Sequence, residues 1–191
     1  IGNTLYFSAN DGVNGNELWK TDLTSGTTTL VRNLRPSSGN ADPSNLVNFN
    51  GTLFFRANDG TGAAIWKTDG TSAGTVKVGS GYSQPGSLFV VGSTLYFTAS
   101  NGNQLWRSNG TTVTLVRDFG TGGSVANLTA IGTTLYFTAR DANGIELWRS
   151  DGTGTGTTRL SDITTGAGDS NPNNLVNLSG SLYFFANNGT N

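Results

Sequence analysis

Four tryptophans are the residues of this sequence whose type and spacing best suit ligand binding. They recur at steps of 47, 40 and 42 residues and are Trp19, Trp66, Trp106 and Trp148. An aromatic face suits the C–H faces of a sugar, so one pocket per repeat would make a multivalent carbohydrate site. The same side chains can instead pack between repeats, with the indole N–H bonded to a neighbouring turn. We favour packing and keep the glycan site as the alternative.

Two acidic stretches, NDGVNGNE and RDANGIE, bring together oxygen ligands of the kind that Ca²⁺ requires. The candidate ligands are Asp11, Asn14 and Glu17 in the first stretch and Asp141, Asn143 and Glu146 in the second. Their spacing does not match an EF-hand, and Asp and Asn in a hairpin are expected from turn geometry alone. We therefore favour turns and no cofactor, with Ca²⁺ as the alternative. The loops that carry Asp162 and Asp169 are a weaker second candidate.

A cation follows each tryptophan, and these cations are Lys20, Lys67, Arg107 and Arg149. Such a cation could bind an acidic glycan. On a strand flank it more often solubilises the surface or pairs with a neighbouring carboxylate such as Asp22 or Asp151, for a small gain in stability. We favour this second role.

Catalysis finds little support. The chain has no His and no Cys, which removes the imidazole base and the thiolate nucleophile. Its acidic residues recur at turns rather than as one asymmetric pair, so a glycosidase-type pair of carboxylates is unsupported. The net charge of −1 gives no footprint for nucleic acid, and apolar runs of four or five residues are too short for membrane insertion. We predict a protein that is not an enzyme.

The elements that position these residues are repeats. The motif LYF or its variant begins at residues 5, 53, 95, 135 and 182, and a period of 40 to 48 residues is typical of propeller blades or helical arrays. Asn-Gly and Asp-Gly pairs interrupt the chain too often for a helix, and they favour hairpins. In the fourth repeat we predict four strands, named A to D, at 126–131, 133–140, 145–150 and 157–162.

The predicted fold is an all-β propeller of four-stranded antiparallel blades, with four to five blades and incomplete ends that are shared between chains or belong to a larger ring. The approximate units are 1–34 (strands B to D), 35–80, 81–119, 120–163 and 164–191 (strands A and B). Cations on strand D are expected to discourage pairing of the outer edges; they are Arg32, Lys77, Arg117 and Arg159.

The unmatched ends are the predicted assembly edges. These edges carry Leu5, Tyr6 and Phe7 at one end and Tyr183, Phe184 and Phe185 at the other. Uncovered edge strands are templates for pairing with another chain, so we expect the partners to be other copies of the protein or adjoining repeats. The absence of Met and of a signal peptide indicates a processed product or a segment of a longer protein.

The repeated ELWKTD and ELWRSDGTGTGT, together with GTLFFRANDG and TTLYFTARDANG, resemble the ELWxxDGT repeats of large bacterial surface or secreted proteins. The turn SDGTGTGT also resembles the Asp-box hairpins of sialidase-type propellers, in which the Asp stabilises the turn. The resemblance implies a β-propeller-like fold and an extracellular setting. Three copies depart from the motif, with Leu23 in place of Gly, Asn109 in place of Asp, and Ala64-Ile65 in place of Glu-Leu.

These features together predict a non-enzymatic extracellular propeller module that acts as an adhesive or structural part of a larger surface or self-assembling protein. The alternative is a multivalent carbohydrate-binding propeller with Trp-lined pockets between the blades, in which several weak sites would gain avidity.

Overall fold

A computed structural model describes residues 1–36 and 38–190, and strands dominate it. The strands are β1 Thr4–Asn10, β2 Asn16–Asp22, β3 Thr28–Arg32, β4 Ser44–Phe49, β5 Thr52–Asn58, β6 Ala63–Thr68, β7 Val76–Lys77, β8 Leu88–Val91, β9 Thr94–Ala99, β10 Gln104–Ser108, β11 Val113–Asp118, β12 Ser124–Ile131, β13 Thr134–Asp141, β14 Gly144–Ser150, β15 Thr158–Arg159, β16 Asn173–Leu178 and β17 Ser181–Phe185. The described residues add one short 3₁₀ turn, Ser100–Gly102.

The strands form five antiparallel sheets, each a meander of consecutive strands. Sheet I contains β1 to β3, sheet II β4 to β7, sheet III β8 to β11, sheet IV β12 to β15 and sheet V β16 and β17. The prediction of an all-β chain with four-stranded antiparallel sheets is therefore confirmed. The sheets of residues 1–36 and 38–190 do not close into a ring.

Strand A carries a register shift at an asparagine in sheets II, IV and V. Asn45, Asn127 and Asn174 have φ angles of 53°, 52° and 52°, a left-handed conformation that Asn tolerates better than most residues. The bulge directs two of these side chains at the following sheet. Asn45 donates to the Gly86 carbonyl at 3.1 Å and Asn127 to the Pro172 carbonyl at 3.3 Å.

Apolar cores lie between consecutive sheets rather than within one sheet. Leu18 of sheet I packs with Phe55 and Trp66 of sheet II. A second core joins sheets II and III around Trp106, and a third joins sheets III and IV around Trp148. Because each inner sheet is apolar on both faces, it is stable only between two neighbours.

Strand D is shorter than the sequence predicted. Strand β15 has two residues, Thr158–Arg159, where we expected strand D to extend to residue 162. Leu160 still donates its N–H to the Leu147 carbonyl, but beyond it Ile163 turns inward to the carboxylate of Glu146. The buried carboxylate thus holds the loop that follows the strand.

Among residues 1–36 and 38–190, the structure contains no helix with the length and apolar character needed to cross a membrane.

Candidate functional site

The tryptophans lie at the contacts between sheets. Trp66, Trp106 and Trp148 are only 5%, 8% and 2% exposed, and each packs in the core that its sheet shares with the preceding sheet. Trp106 and Trp148 stack on Phe97 and Phe137 of their own sheets. Trp19 in sheet I is half-buried, because no sheet precedes it among the described residues.

The packing hypothesis expected each indole N–H to bond to a neighbouring turn, and the observed hydrogen bonds differ from this. Trp19 donates to the Ala9 carbonyl at 3.1 Å and Trp106 to the Gln104 side chain at 2.9 Å. Within residues 1–36 and 38–190, the indole nitrogens of Trp66 and Trp148 are buried without a hydrogen-bond partner. The predicted bond from the indole N–H to a neighbouring turn is therefore absent for these two tryptophans among the described residues.

Glu17 and Glu146, two of the candidate metal ligands, are fully buried. The carboxylate of Glu17 accepts hydrogen bonds from the backbone N–H groups of Leu34 and Arg35, both at 3.1 Å. Glu146 accepts from the backbone N–H groups of Ile163 and Ser170 and from the Ser170 hydroxyl. Each carboxylate thus fastens the loop after strand D to strand C. Burial raises the pKa of Glu17, although its two backbone hydrogen bonds oppose the rise.

The other candidate ligands stabilise turns. Asp11 accepts from the backbone N–H groups of Val13 and Asn14 and from the Asn14 amide, and these bonds lower its pKa. Asp141 accepts from the Asn143 N–H at 2.8 Å. The described residues contain no group of three or more His, Cys, Asp or Glu side chains placed to hold a metal ion.

Asp162 and Asp169 form ion pairs in the loop after strand D. Asp169 pairs with Arg140 at 2.6 Å and accepts the Ile145 N–H at 2.9 Å, which lowers its pKa. Asp162 lies 3.4 Å from Arg159. Both carboxylates therefore act within sheet IV and its loop.

In sheets I to III the cation after the tryptophan contacts the following sheet. Lys20 of sheet I donates to the Gly70 carbonyl of sheet II at 2.8 Å, and Lys67 of sheet II donates to the Gly110 carbonyl of sheet III at 2.9 Å. We expected solubilisation or pairing with a carboxylate such as Asp22 or Asp151. The expectation missed these partners because the cation spans two sheets, and contacts between sheets are not encoded in local spacing.

The turn between strands C and D receives this cation, and we call residues 69–75, 109–112 and 151–157 the box turns. Gly70, Gly110 and Gly152 follow the Asp or Asn of each box turn at φ angles of 90°, 96° and 91°. Space is also limited there. A β-carbon built on Gly70 would lie 2.6 Å from the Tyr6 hydroxyl, and one built on Gly152 would lie 2.8 Å from the Tyr96 hydroxyl.

Hydrogen bonds inside the box turn set the electrostatics of its acid. The backbone and side chain of Thr153 lower the pKa of Asp151, and the charge of Arg107 from sheet III lowers it further. Burial raises the pKa of Tyr96, which lies on the same contact. The Asp therefore stays ionised as a turn-forming group.

The cations of strand D do more than protect an edge. Arg32 donates to the Thr75 carbonyl at 2.6 Å and Arg117 to the Thr157 carbonyl at 3.0 Å, in each case in the box turn of the next sheet. Arg117 also lies 4.6 Å from the ring of Trp148. Lys77 instead pairs with Asp59 of its own sheet at 2.8 Å.

The predicted assembly edges include several of the most exposed apolar side chains among the described residues. Tyr183 and Phe185 of β17 are 58% and 70% exposed, whereas Tyr96, the equivalent of Tyr183, is 2% exposed. Phe184 is half-buried, as are Tyr6 and Phe7, and Leu5 is exposed. Strand β17 pairs with β16 along one edge, and its other edge is unpaired within the described residues.

Shallow polar clefts recur beside the start of strand B in sheets I to IV. The cleft of sheet II has a volume of about 340 Å³ and is lined in part by Thr52, Lys67, Asp69 and Asn109. Those of sheets I, III and IV have volumes of about 360, 200 and 180 Å³. No tryptophan lines any of them, so the clefts offer no Trp face for a sugar to stack on.

Comparison with known proteins gives information on the fold and on nothing else. No family model matches the chain, and no curated protein matches it. Regucalcin from Agrobacterium tumefaciens, a calcium-binding protein, superposes with a TM-score of 0.52 at 16% identity, over 84% of this chain and 56% of its own. A puromycin-hydrolyzing peptidase from Mycobacterium tuberculosis gives 0.55 at 12%, over 84% and 28%.

A structure from a study of two prolyl endopeptidases gives a TM-score of 0.55 at 12% identity, over 97% of this chain and 25% of its own. The similar solved structures are propeller-like folds, and the chain spans little more than half of their length or less. A shared fold does not establish a shared activity.

Proposed function

We propose that this chain is a non-enzymatic, extracellular β-propeller module that serves as a structural or adhesive part of a larger surface or self-assembling protein. In this role, the chain binds further sheets of the same kind at its two ends. The observation that carries the proposal is the distribution of exposed apolar side chains. Among the described residues, seven of the ten large exposed hydrophobic side chains lie in sheets I and V and their turns, namely Leu5, Val13, Leu23, Val176, Leu178, Tyr183 and Phe185.

The fate of the acidic residues supports a structural role over catalysis. Glu17 and Glu146 are buried and bonded to backbone N–H groups, and Asp69 and Asp151 hold their own turns. A general acid or base must be able to reach a substrate. These side chains are already committed to loops and turns.

The glycan-binding alternative receives less support. It needs tryptophan faces open to solvent, whereas three of the four are buried between sheets. Trp19 keeps part of its ring accessible only at the end of the stack. We therefore rank assembly first and glycan binding second.

Sedimentation velocity of the full chain over a range of concentrations tests the proposal. We expect the sedimentation coefficient to rise with concentration, because β17 offers an unpaired apolar edge. The variant Phe185→Lys should remove this rise. Leu115→Lys, at an exposed apolar site on sheet III, is the matched control and should behave like the parent chain. A chain that stays monomeric at high concentration and binds a defined saccharide on a glycan array would contradict the proposal.

A further inference from the structure

Each contact between consecutive sheets is built from the same parts. At the contacts of sheets I with II and III with IV, an aromatic residue of strand B and a cation of strand C meet the glycine after the Asp of the next box turn. Gly70 receives Tyr6 and Lys20, and Gly152 receives Tyr96 and Arg107. At the contact of sheets II and III, Lys67 bonds to the Gly110 carbonyl. One surface therefore recurs three times, and each time a box turn covers it.

The same surface is present on sheet IV with no box turn on it. Tyr136 and Arg149 occupy the strand B and strand C positions, and sheet V contributes only strands A and B to the described residues. Arg149 is exposed, whereas its three equivalents are half-buried. Nη1 of Arg159 is buried and lies 3.4 Å from the Asp162 carboxylate, with no hydrogen-bond partner among the described residues, whereas Arg32 and Arg117 each donate to a box-turn carbonyl.

The three covered contacts define what fits this surface. The residue after the box-turn Asp has a φ near 90° and lies against a tyrosine hydroxyl at two of the contacts. A left-handed backbone disfavours any residue with a β-carbon, and the hydroxyl leaves no room for one. Glycine is thus required at that position of the occupant.

The chain's own uncovered hairpin, β2–β3, does not meet this requirement. Leu23 stands where the box turns have glycine, and its φ is not in the left-handed region. Asp22 accepts from the N–H groups of Thr24 and Ser25, as Asn109 does from those of Thr111 and Thr112, so this turn differs from a box turn in its leucine and not in these hydrogen bonds. Its leucine is 59% exposed.

We propose that the open surface formed by Tyr136, Arg149, Arg159 and the free edge of β17 binds a β-hairpin of the ELWxxDGT type from a partner polypeptide, and that this hairpin carries glycine directly after its Asp. The inference rests on the proposed function, and it specifies the kind of partner that binds at the C-terminal end of the chain. The hairpin adds strands C and D to sheet V, and its box turn accepts the two arginines.

Two extended chains test the inference. In the first, residues 144–163 are appended after residue 191, and in the second, residues 15–34 are appended at the same place. Both additions have the same length, and in both the appended glycine follows an asparagine, as it does in the parent sequence. They differ at several positions, including the residue after the Asp, which is glycine in the first and leucine in the second; a 144–163 addition that carries Gly152→Leu isolates that position.

We expect the chain extended with 144–163 to have an unfolding equilibrium constant about tenfold smaller in urea than the chain extended with 15–34, which corresponds to one charge-assisted hydrogen bond. Arg149→Ala should remove most of this difference. Equal stabilisation by both hairpins, or by neither, would overturn the inference while concentration-dependent sedimentation of the parent chain still upheld the proposed function. A crosslink between residues 23 and 149 of two parent chains would also overturn it, because the chain's own first hairpin would then fit.

Discussion

Gly152→Ala tests the contact between sheets III and IV through two separable costs. The first is the backbone cost of a β-carbon at φ 91°, about 1 to 2 kcal/mol. The second is the overlap with the Tyr96 hydroxyl, 2.8 Å from the new carbon. Tyr96 is buried and cannot swing away, so overpacking adds about 1 to 3 kcal/mol. We expect a total loss of about 3 kcal/mol in the free energy of unfolding.

Gly51→Ala is the matched control, because Gly51 has a φ of 83° with no atom near its built β-carbon. It should cost only the backbone part, about 1 kcal/mol. Tyr96→Phe in the Gly152→Ala background should recover about 1 to 2 kcal/mol of the overlap, since Phe54 already occupies the equivalent position opposite Gly110. Urea unfolding followed by circular dichroism measures all three variants. Equal losses for the two alanine variants, or no recovery with Tyr96→Phe, would refute the described contact.

Three further predictions concern single contacts. Lys67→Met should lower the free energy of unfolding by about 1 kcal/mol, because it loses the hydrogen bond to the Gly110 carbonyl. Arg149→Met loses no such bond and should lower it by less than about 0.5 kcal/mol. Urea unfolding of both variants measures the difference, and equal losses would contradict the prediction. Glu146→Ala should lower the free energy of unfolding by about 3 kcal/mol, because two buried backbone N–H groups lose their hydrogen-bond acceptor. It should also speed amide hydrogen exchange in residues 163–170, and Glu146→Gln should cost less. Unchanged exchange would contradict the anchoring role of Glu146. Burial opposes ionisation of Asp59, but hydrogen bonds from Lys77 and Thr61 lower its pKa from 3.8 to about 2, so its stabilisation is present above pH 3.8 and is lost as the pH falls through about 2. Thermal unfolding should therefore show Asp59→Asn to be less stable than the parent by about 1 kcal/mol near pH 7, after allowance for solvent screening. The gap should shrink as the pH falls and close only below about pH 2, where the native carboxyl is protonated; a gap that persists there would contradict the ion-pair account.

Strand pairing could be read from the sequence because local residues specify it. Asn-Gly and Asp-Gly pairs such as Asp69-Gly70 mark turns, and the alternation of LYFTA predicts strand B. The partners of Lys20 and Lys67 could not be read in this way, since they depend on how whole sheets stack. Local spacing predicts elements, and the stacking of sheets decides where the side chains between them go.

The role of Glu17 and Glu146 was missed, although the sequence holds a signal for it. Glutamate occurs at this position only where a long loop follows strand D, at 33–43 and 160–172. Gln104 stands there in sheet III, which is followed by the short loop 119–123. In sheet II the position is Ala64, and the loop residue Tyr82 accepts the Ile65 N–H instead. The residue thus follows the loop in sheets I, III and IV, whereas the loop 78–87 of sheet II, nearly as long as 33–43, is fastened through Tyr82 without a glutamate.

Amide hydrogen exchange of the full chain at low and high concentration tests the central claim most directly. If the ends of the stack are joining surfaces, the β17 amides at 181–185 should gain protection as concentration rises, because their free edge becomes paired. The β5 amides at 52–58, inside the stack, should not change. Exchange in β17 that stays fast and independent of concentration, in a chain that remains monomeric, would contradict the claim.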